Sequence, residues 1–383
     1  MNNIRPIAYY LPQYYPIPEN DEWWGRGFTE WTNVSRARPF FEGHKQPHFP
    51  ADLGYYDLRV PEVREQQAQM ARDAGIEGFC YWHYWFGNGK RLLERPFNEV
   101  LNSGKPDFPF CLAWANETWS GIWHGARDKV LIKQEYFGIQ DYEKHFYDIL
   151  PAFLDKRYIR IDDRPLFLVY NPTDLPDMKE FCDTFQNLAV KNNFKGIHLV
   201  ANNIKNVQID WDPKIFGFDA YTTAAHNRII HDGAPFLSKS AGKYSITWFH
   251  KKILKKLNKK TPVRPRHVYE YGEALKYFLL ENELNIESYP TIITGWDNSP
   301  RSGLNGLILT DFTPEVFRVH LKQVFSYTER AKNKIVFVKS WNEWAEGNYL
   351  EPESQYGTRF LEVFREELDT HSIQNIIRRD SSI

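Results

Sequence analysis

Cysteine is scarce in this sequence, and its scarcity excludes two kinds of architecture. The three cysteines, Cys80, Cys111 and Cys182, lack the pairing of a disulfide framework and the close spacing of a zinc site. Because Cys80 and Cys111 fall inside predicted strands, we expect buried free thiols. The histidines show no metal-ligand spacing either. We therefore predict that the protein uses neither a metal nor another cofactor.

Long apolar runs and net charge are also absent. No span of 18 apolar residues occurs, and the first residues, MNNIRPIAYYLPQYY, show no charged segment followed by an apolar one. We therefore expect a cytoplasmic protein, peripheral to a membrane at most. With 48 basic and 49 acidic side chains, the formal net charge is −1. This balance argues against nucleic acid as the main partner.

Aromatic residues are abundant instead. The chain has 13 Trp, 22 Tyr and 27 Phe, and many of them stand beside Asn, Asp, Glu or His. A large core would explain their number equally well. Flat apolar faces with polar edges also match the alternating C–H and hydroxyl surfaces of a pyranose ring. The polar neighbours therefore favour the walls of a sugar-binding cleft.

Short β-branched and aromatic runs alternate with helical patterns, which predicts an α/β protein. The predicted strands are Ile4–Tyr10, Gly78–Trp82, Phe110–Trp114, Leu166–Tyr170, Ile197–Ala201, Phe216–Tyr221, Thr291–Gly295 and Ile335–Lys339. The predicted helices are Glu62–Ala74, Asp141–Leu154, Lys179–Asn192, Gly272–Glu281 and Thr313–Ala331. Eight parallel strands are the number that closes a (β/α)8 TIM barrel. A doubly wound open sheet is the alternative, although no Gly-rich phosphate turn follows any strand.

Two long loop insertions interrupt the barrel, which we place at residues 1–370 with a tail at 371–383. Residues 12–58 are rich in Pro, Trp and His, and loops of that length are usually functional. The second insertion, 225–270, contains eight Lys, two Arg and no acid within 236–267. Its apolar residues recur at helical spacing. It is either a solvated helix packed on the barrel or a peripheral contact, through 239–266, with an anionic membrane or lipid-linked glycan.

The carboxyl end of each predicted strand is polar or aromatic. In a (β/α)8 barrel these ends open onto one face, where the active site is built. We therefore take the side chains at these ends as candidates for substrate binding. They are Tyr9, Tyr10, Trp82, His83, Trp114, Asn116, Glu117, Tyr170, Asn202, Tyr221, Trp296, Asp297, Trp341, Asn342 and Trp344.

The eighth strand ends on SWNEWAEGNYLEP, residues 340–352, in which Glu343 and Glu346 are three positions apart. If this segment turns into a helix, both carboxyls lie on one side with their Cβ atoms about 5–6 Å apart. Mutual repulsion and aromatic burial would raise the pKa of one carboxyl, giving a protonated acid beside an ionised base. The alternative is a helix start stabilised by two acids. We predict Glu343 and Glu346 as catalytic residues.

The motif WNEWAEG, continued to Glu351-Pro352, resembles the end-of-barrel motif of glycoside hydrolase family 99. From IAYYLPQYYP through GFCYWHYWF and LAWANETW to SWNEWAEG, roughly residues 4–365, the chain resembles the family-99-like proteins called WbsX. These often accompany bacterial surface-polysaccharide genes and have been labelled glycosyltransferases. The resemblance implies a (β/α)8 barrel and a metal-free retaining reaction on α-glycosides. It also implies that Glu343 assists the sugar's 2-hydroxyl to form a 1,2-anhydro sugar, while Glu346 is the general acid and then base.

A different pair of carboxylates is the alternative. Asn116-Glu117 also ends a strand, and in many barrel glycosidases such a pair supplies the acid, with Glu343 then the direct nucleophile. Those enzymes separate the two strands by three positions, whereas the third and eighth strands are five apart. We therefore prefer Glu343 with Glu346.

Three functions stay open at this point. The leading one is a retaining α-glycoside hydrolase acting on a bacterial or host-derived polysaccharide. The second is a glycosyltransferase of surface polysaccharide (O-antigen or capsule, hence lipopolysaccharide) biosynthesis. The third is a non-catalytic carbohydrate-binding barrel.

Overall fold

A parallel sheet forms the centre of the molecule. The computed structural model describes residues 4–121, 126–202, 212–222, 226, 229–230, 265, 267–279 and 287–380. In chain order the strands of this sheet are β1 (Arg5–Tyr10), β2 (Gly78–Trp85), β3 (Phe110–Trp114), β4 (Arg164–Val169), β5 (His198–Ala201), β6 (Ala220–Thr222), β7 (Glu287–Tyr289 and Thr291–Ile292) and β8 (Ile335–Val338).

The sheet closes on itself through its first, seventh and eighth strands. β1 lies between β2 and β8, and the two halves of β7 pair with β6 and β8, all in parallel. Pro290 separates the halves because proline has no N–H to give to the ladder. Its carbonyl still accepts a hydrogen bond from the backbone N–H of Phe337 at 2.9 Å. The predicted (β/α)8 barrel is therefore confirmed.

The sixth and seventh strands deviate most from their predicted bounds. β6 begins at Ala220 rather than Phe216, because Pro213–Phe216 form a 3-10 turn that ends at Gly217, with a φ of 102°. β7 begins earlier than predicted and ends at Ile292. Beyond it the chain bends at Gly295, where φ is 83°.

Helices follow the strands, and most of them cover the outside of the barrel. They are α1 (Pro18–Trp24), α2 (Glu30–Arg36), α3 (Pro61–Asp73), α4 (Arg95–Ser103), α5 (Ile139–Leu154), α6 (Met178–Lys191), α7 (Tyr271–Ala274), α8 (Ser299–Ser302), α9 (Pro314–Thr328) and α10 (Arg359–Asp380). Four predicted helices correspond to α3, α5, α6 and α9. The fifth covers α7 and a 3-10 turn, Leu275–Tyr277, before reaching residues outside the described ones. α10 continues across position 370, where we placed the end of the barrel.

Smaller strand pairs extend the loops. The parallel pair is His267–Glu270 with Leu307–Thr310. The antiparallel pairs are Trp119–Gly121 with Ala126–Ile132, Arg91–Leu92 with the end of β2, Arg160–Ile161 with the start of β4, and Asn342–Glu343 with Asn348–Tyr349.

The barrel wall is fully buried, as expected for parallel strands covered by helices. The side chains of β8, for example, have no exposed surface. Cys80, Cys111 and Cys182 are buried free thiols, which confirms the expectation for the two strand cysteines. Burial raises the pKa of Cys80 well above its usual value, so this sulfur stays a neutral thiol.

The basic stretch predicted at 236–267 lies outside the described residues, apart from Pro265 and His267. The membrane or lipid contact expected through 239–266 lies outside them in the same way. Within the part of the chain that the structure describes, no helix has the length and apolar character needed to cross a membrane.

A glycine at the start of β2 allows β2 and β3 to approach each other. A Cβ atom on Gly78 would lie 2.4 Å from the carbonyl oxygen of Pro109, which is backbone and cannot turn aside. We expect Gly78→Ala to lower the free energy of unfolding by about 1–3 kcal/mol through overpacking, measured by urea denaturation.

Gly272→Ala is the matched control for this substitution. A Cβ at Gly272 would meet its nearest atom, on Val316, at 3.8 Å, an ordinary contact. The position is helical, where alanine is favoured over glycine, so stability should stay unchanged or rise slightly. Equal denaturation midpoints for the two variants would contradict the close approach at Gly78.

Candidate active site

A cavity of about 480 Å³ opens at the carboxyl ends of the barrel strands. The 12–58 insertion forms one wall, and the hairpin that begins at Trp119 forms another. Acidic, aromatic and cationic side chains line the cavity together. The lining residues that matter below are Trp24, Phe28, Glu30, Trp82, Tyr84, Glu117, Trp119, Tyr170, His226, Trp296, Arg301, Lys339, Glu343 and Glu346.

The two candidate glutamates lie on a tight hairpin rather than on a helix. Asn342–Glu343 pair with Asn348–Tyr349, and Trp344–Glu346 form a 3-10 turn between them. Gly347 closes this turn with a φ of 58°. The helix considered from the i, i+3 spacing does not form, because the left-handed residue ends the turn at once. Both carboxyls nevertheless reach the same cavity.

The side chain of Asn342 anchors this hairpin to the loop that follows β1. Its Oδ1 accepts the backbone N–H of Leu11 at 2.8 Å, and its Nδ2 donates to the carbonyl of Leu11 at 3.0 Å. The hydroxyl of Tyr14 adds a hydrogen bond to the carbonyl oxygen of Asn342. The position of Glu343 is therefore fixed from the neighbouring strand as well as from its own.

Arg301, in α8, brings three carboxylates together. Its Nη1 lies 3.0 Å from Oε1 of Glu343 and 2.8 Å from Oε1 of Glu346. Its Nε donates to Oε2 of Glu30, in α2, at 3.0 Å. One guanidinium thus joins the 12–58 insertion to the two candidate catalytic residues, and the planar fork suits such a shared contact.

One of these carboxyls carries a proton near neutral pH. Burial, followed by repulsion from Glu343, raises the pKa of Glu346 to about 7. Nζ of Lys339 lies 4.0 Å from Oε2 of Glu343. Arg301 and Lys339 therefore balance the charges of Glu30 and Glu343, and the proton is left on Glu346. The sequence predicted a raised pKa for one carboxyl of this pair, and Glu346 is the carboxyl that has it.

A further buried carboxylate supports the hairpin from below. Glu351 accepts hydrogen bonds from the indole N–H of Trp344 at 2.6 Å, from Nε2 of Gln67 at 2.6 Å and from the hydroxyl of Tyr56 at 2.9 Å. Burial raises the pKa of Glu351 to about 7 despite these donors. Its contacts tie the turn that carries Glu346 to α3 and to the 12–58 insertion.

Six residues from the sequence-based candidates line the cavity. Trp82 and Tyr170 pack edge to face, with their ring centres 5.3 Å apart. Trp296 follows β7 and Glu117 follows β3, so they lie on other parts of the wall. Glu343 and Glu346 follow β8, which lies between those two strands around the barrel. Trp82 lies in β2, and the other five lie in the segments that follow β3, β4, β7 and β8.

Tyr9 and Asn202 are buried behind the cavity wall. Tyr9 stacks on Trp82 with ring centres 4.8 Å apart and accepts a hydrogen bond from Nδ2 of Asn202 at 3.0 Å. They therefore hold a wall residue in place. Tyr221, Trp341, Asn342 and Trp344 are also buried and do not line the cavity.

Three candidates point away from the cavity, because successive strand residues alternate in direction. Tyr10 donates its hydroxyl to Gln67 of α3 at 2.6 Å. His83 contacts His145 of α5, with 2.8 Å between their Nε2 atoms. Burial lowers the pKa of both histidines well below its usual value, so the pair is neutral. Trp114 donates its indole N–H to a carbonyl of β2 at 2.9 Å.

Asn116 and Asp297 connect loops. Asn116 exchanges hydrogen bonds of 2.7 and 2.8 Å with the backbone of Asn171. Asp297 accepts from Gln46 at 2.7 Å and pairs with His44 at 2.8 Å, which ties the 12–58 insertion to the end of β7. Its own N–H donates to the carbonyl of Glu346 at 2.7 Å.

Sequence reasoning missed Glu30, Arg301 and Lys339. Arg301 ends the segment GWDNSPR and Lys339 is the last residue of the predicted eighth strand, so both stood inside strand ends already considered. Glu30 lies in the 12–58 insertion, and its position along the chain does not indicate which part of the barrel it contacts. A search for cations at the strand ends would have found Arg301 and Lys339.

Comparisons with known proteins agree with this architecture. A model of the family described as Glycosyltransferase WbsX matches residues 6–364. Proteins called "Uncharacterized protein WxcX" from two strains of Xanthomonas campestris pv. campestris are each 36% identical over 365 residues. The match covers 94% of this chain and 49% of theirs, so the chain spans about half the length of these curated relatives.

Similar folds occur among solved structures. The GH99 endo-alpha-mannosidase of Bacteroides thetaiotaomicron, in complex with BIS-TRIS-propane, has a TM-score of 0.58 at 15% identity, over 96% of this chain and 97% of that one. A glycoside hydrolase-like protein has a TM-score of 0.57 at 15% identity, over 96% and 94%. At this level of identity the likeness concerns the fold.

The raised pKa of Glu346 should appear as a pH-dependent stability. A carboxyl whose pKa is higher in the folded chain stabilises it at low pH, and this contribution is lost as the pH rises from 4.5 to about 7. We expect the free energy of unfolding to fall between pH 5 and pH 8 by up to about 3 kcal/mol more in the wild type than in Glu346→Gln. Urea denaturation at both pH values measures this difference.

Glu362→Gln, at a side chain that is 51% exposed, should follow the wild type. Glu351 is present in every one of these proteins, so its own titration cancels in the comparison. Parallel pH profiles for the wild type and Glu346→Gln would show that Glu346 is ionised throughout this range.

Proposed function

Because the chain belongs to the WbsX family, and because two buried carboxyls share one arginine in its cavity, we propose that it is a retaining α-glycoside hydrolase. The observation that carries this proposal is the difference between the two acids. The pKa of Glu346 is raised to about 7, whereas Glu343 lies beside two cations, Arg301 and Lys339. A donor and an acceptor of protons therefore face one cavity.

The walls of the cavity support a sugar as the ligand. Trp24, Trp82, Trp119 and Tyr170 present aromatic surface, while the carboxylates and Arg301 supply hydrogen-bonding groups between them. This combination matches a pyranose, which offers apolar C–H faces and a ring of hydroxyls. Since both acids come from one hairpin, they act on neighbouring atoms of one sugar.

The proposed reaction proceeds through a 1,2-anhydro sugar. Glu343 accepts the proton of the 2-hydroxyl, the 2-oxygen forms a bond to C1, and the glycosidic C1–O bond breaks as Glu346 protonates the leaving oxygen. In the second half, Glu346 takes a proton from water, whose oxygen attacks C1. The C1–O2 bond opens and the 2-oxygen regains its proton from Glu343. Two inversions at C1 give retention, and the internal nucleophile gains from proximity.

The fold relative offers a ligand for testing the site. The GH99 endo-alpha-mannosidase of Bacteroides thetaiotaomicron is described in complex with BIS-TRIS-propane, an amine that is cationic near neutral pH. A cavity with several carboxylates favours such a cation. Binding of this compound to the present chain, and its loss in Glu343→Gln, would place a cation beside the proposed catalytic pair.

A glycosyltransferase is the second candidate, favoured by the description of the family. Transfer from a nucleotide sugar needs a partner for the diphosphate charge. Among the cavity residues that the structure describes, Arg301 and Lys339 both lie beside carboxylates. This favours the hydrolase. Incubation with a panel of α-glycans and of sugar nucleotides, with products sized by mass, separates the two functions.

The two glutamates should respond differently to the leaving group. On an α-linked glycan, Glu343→Gln and Glu346→Gln should each lower kcat/KM by roughly 10²–10⁴-fold, because each removes a proton transfer. On α-mannosyl, α-glucosyl or α-galactosyl fluoride, whose fluoride needs less protonation, Glu346→Gln should recover most of its first-step rate and Glu343→Gln should not. Fluoride release and product mass measure the two reactions.

Glu117→Gln serves as the control in the same cavity and should keep most of its activity. Undetectable turnover in Glu117→Gln beside a largely active Glu346→Gln would instead assign the acid to Glu117. Proton NMR of the first product should show the α anomer, and a β anomer would exclude the retaining route.

The rate should fall on the alkaline side as Glu346 loses its proton. Since the pKa of Glu346 is raised to about 7, we expect kcat/KM on a glycan to decline above about pH 7. The fluoride reaction of Glu346→Gln should lack that decline, because glutamine does not titrate. The same alkaline limb in both proteins would show that another group is the acid.

A further inference from the structure

Lys339 is a buried residue whose ammonium has unused hydrogen-bonding capacity. Only 8% of the residue is exposed, and its Nζ lies over the ring of Trp296, 5.4 Å from the ring centre. Its nearest carboxylate oxygen, Oε2 of Glu343, is 4.0 Å away, which is beyond hydrogen-bond distance. Within the described ranges, Nζ donates no hydrogen bond to a protein atom, although an ammonium has three donors.

Two buried polar atoms in the same wall have no hydrogen-bond partner among the described residues. They are Nε1 of Trp296 and Nδ1 of His226. Their rings stack with centres 3.7 Å apart, and both residues line the cavity together with Lys339. Burial lowers the pKa of His226 well below its usual value, so this ring is neutral. Buried polar groups are normally paired, and a cluster of unpaired ones indicates a place for a polar ligand.

The gap between Lys339 and Glu343 fits one oxygen atom. A hydroxyl oxygen about 2.8 Å from both Nζ and Oε2 would accept a hydrogen bond from the ammonium and donate one to the carboxylate. We propose that Lys339 binds the sugar hydroxyl that Glu343 deprotonates. This inference rests on the proposed function for the identity of that hydroxyl.

In this arrangement Lys339 is a catalytic residue, because it touches the reacting oxygen. Glu343 takes the hydroxyl proton, and Lys339 keeps all of its own protons. As negative charge grows on the 2-oxygen before its bond to C1 forms, the fixed ammonium stabilises that charge. The hydroxyl next to the glycosidic bond must therefore be free, since a substituent on that oxygen removes the proton and fills the gap.

The charges around Lys339 select a neutral sugar. Arg301 and Lys339 already balance Glu30 and Glu343. A uronate carboxylate in the cavity would add negative charge that no other cation of the described wall offsets. The substrate class is thus a neutral α-glycoside with an unsubstituted 2-hydroxyl.

Binding of small glycosides tests the subsite without requiring turnover. The probes are methyl α-D-mannoside, methyl α-D-glucoside and methyl 2-deoxy-α-D-arabino-hexoside, which is the 2-deoxy form of both. Saturation-transfer NMR titration gives Kd for each with the wild type, Lys339→Met and Lys322→Met. Lys322 is the matched control, because its Nζ also lies 4.0 Å from a glutamate, Glu367, at a 61% exposed site outside the cavity.

In the wild type, loss of the 2-hydroxyl should weaken binding of the preferred epimer roughly ten- to a hundredfold, as for a hydrogen bond to a charged group. In Lys339→Met, the ratio of Kd for the 2-deoxy glycoside to Kd for the parent glycoside should be at least fivefold smaller, because only Glu343 then binds the 2-hydroxyl. In Lys322→Met this ratio should be unchanged. Lys339→Arg, which keeps the charge, should retain part of the penalty and reports on correct folding.

Methyl α-D-glucuronide should bind at least tenfold more weakly than methyl α-D-glucoside.

An unchanged 2-deoxy penalty in Lys339→Met would overturn the assignment, as would tighter binding of the glucuronide or no binding of any probe to the wild type. These outcomes are separate from the proposed function. A chain that shows the penalty but cleaves no glycan keeps the subsite and refutes the hydrolase. A chain that cleaves glycans without the penalty does the reverse.

Discussion

The contact of Arg301 with three carboxylates is the interaction on which the site depends. It joins α2 of the 12–58 insertion, α8 after β7, and the hairpin after β8, which are far apart in the chain. Buried charges of this kind are costly to separate, because removing one partner leaves the others unpaired in a low dielectric. The same contact sets the chemistry. One arginine and the nearby Lys339 face three acids, and burial together with repulsion from Glu343 raises the pKa of Glu346 to about 7.

The residues behind the cavity hold this cluster in register. Asn342 binds the loop after β1, Glu351 collects donors from three segments, and Asp297 links His44 and Gln46 to the carbonyl of Glu346. None of these side chains lines the cavity, yet each fixes the hairpin from a different direction. Several of the sequence-based candidates therefore support the site without contacting a ligand. Polar residues at strand ends indicate the functional face. Only the structure shows which of them line the cavity and which hold the lining residues in place.

The sequence predicted the barrel well, because eight apolar runs of strand length leave few other arrangements. It also predicted the acidic pair, since Glu343 and Glu346 share one local segment. Three features were missed or differ from the prediction. The positions of residues within the 12–58 insertion do not indicate which of them reach the cavity, so Glu30 was missed. Tyr10 and His83 point outward because successive side chains of a strand alternate between its two faces, so a difference of one position reverses the direction. The helix expected at Glu343–Glu346 fails because Gly347 adopts a left-handed conformation.

The unused donors of Lys339 bear on the choice between the candidate functions. A purely structural lysine at the end of β8 would be expected to donate to the carboxylate it approaches, as Arg301 does. Instead its ammonium stops 4.0 Å from Glu343 and rests on the face of Trp296. A separation of that size costs part of the ion-pair energy and leaves room for a hydroxyl between the two charges. A binding barrel needs hydrogen bonds to sugar but has no need for a protonated acid beside an ionised base. A transferase that uses a nucleotide sugar needs cations to bind the diphosphate, whereas the described cations of this cavity lie beside carboxylates. The pairing of Lys339 with Glu343 across one oxygen position, beside a protonated Glu346, is the arrangement that activation of a sugar hydroxyl requires.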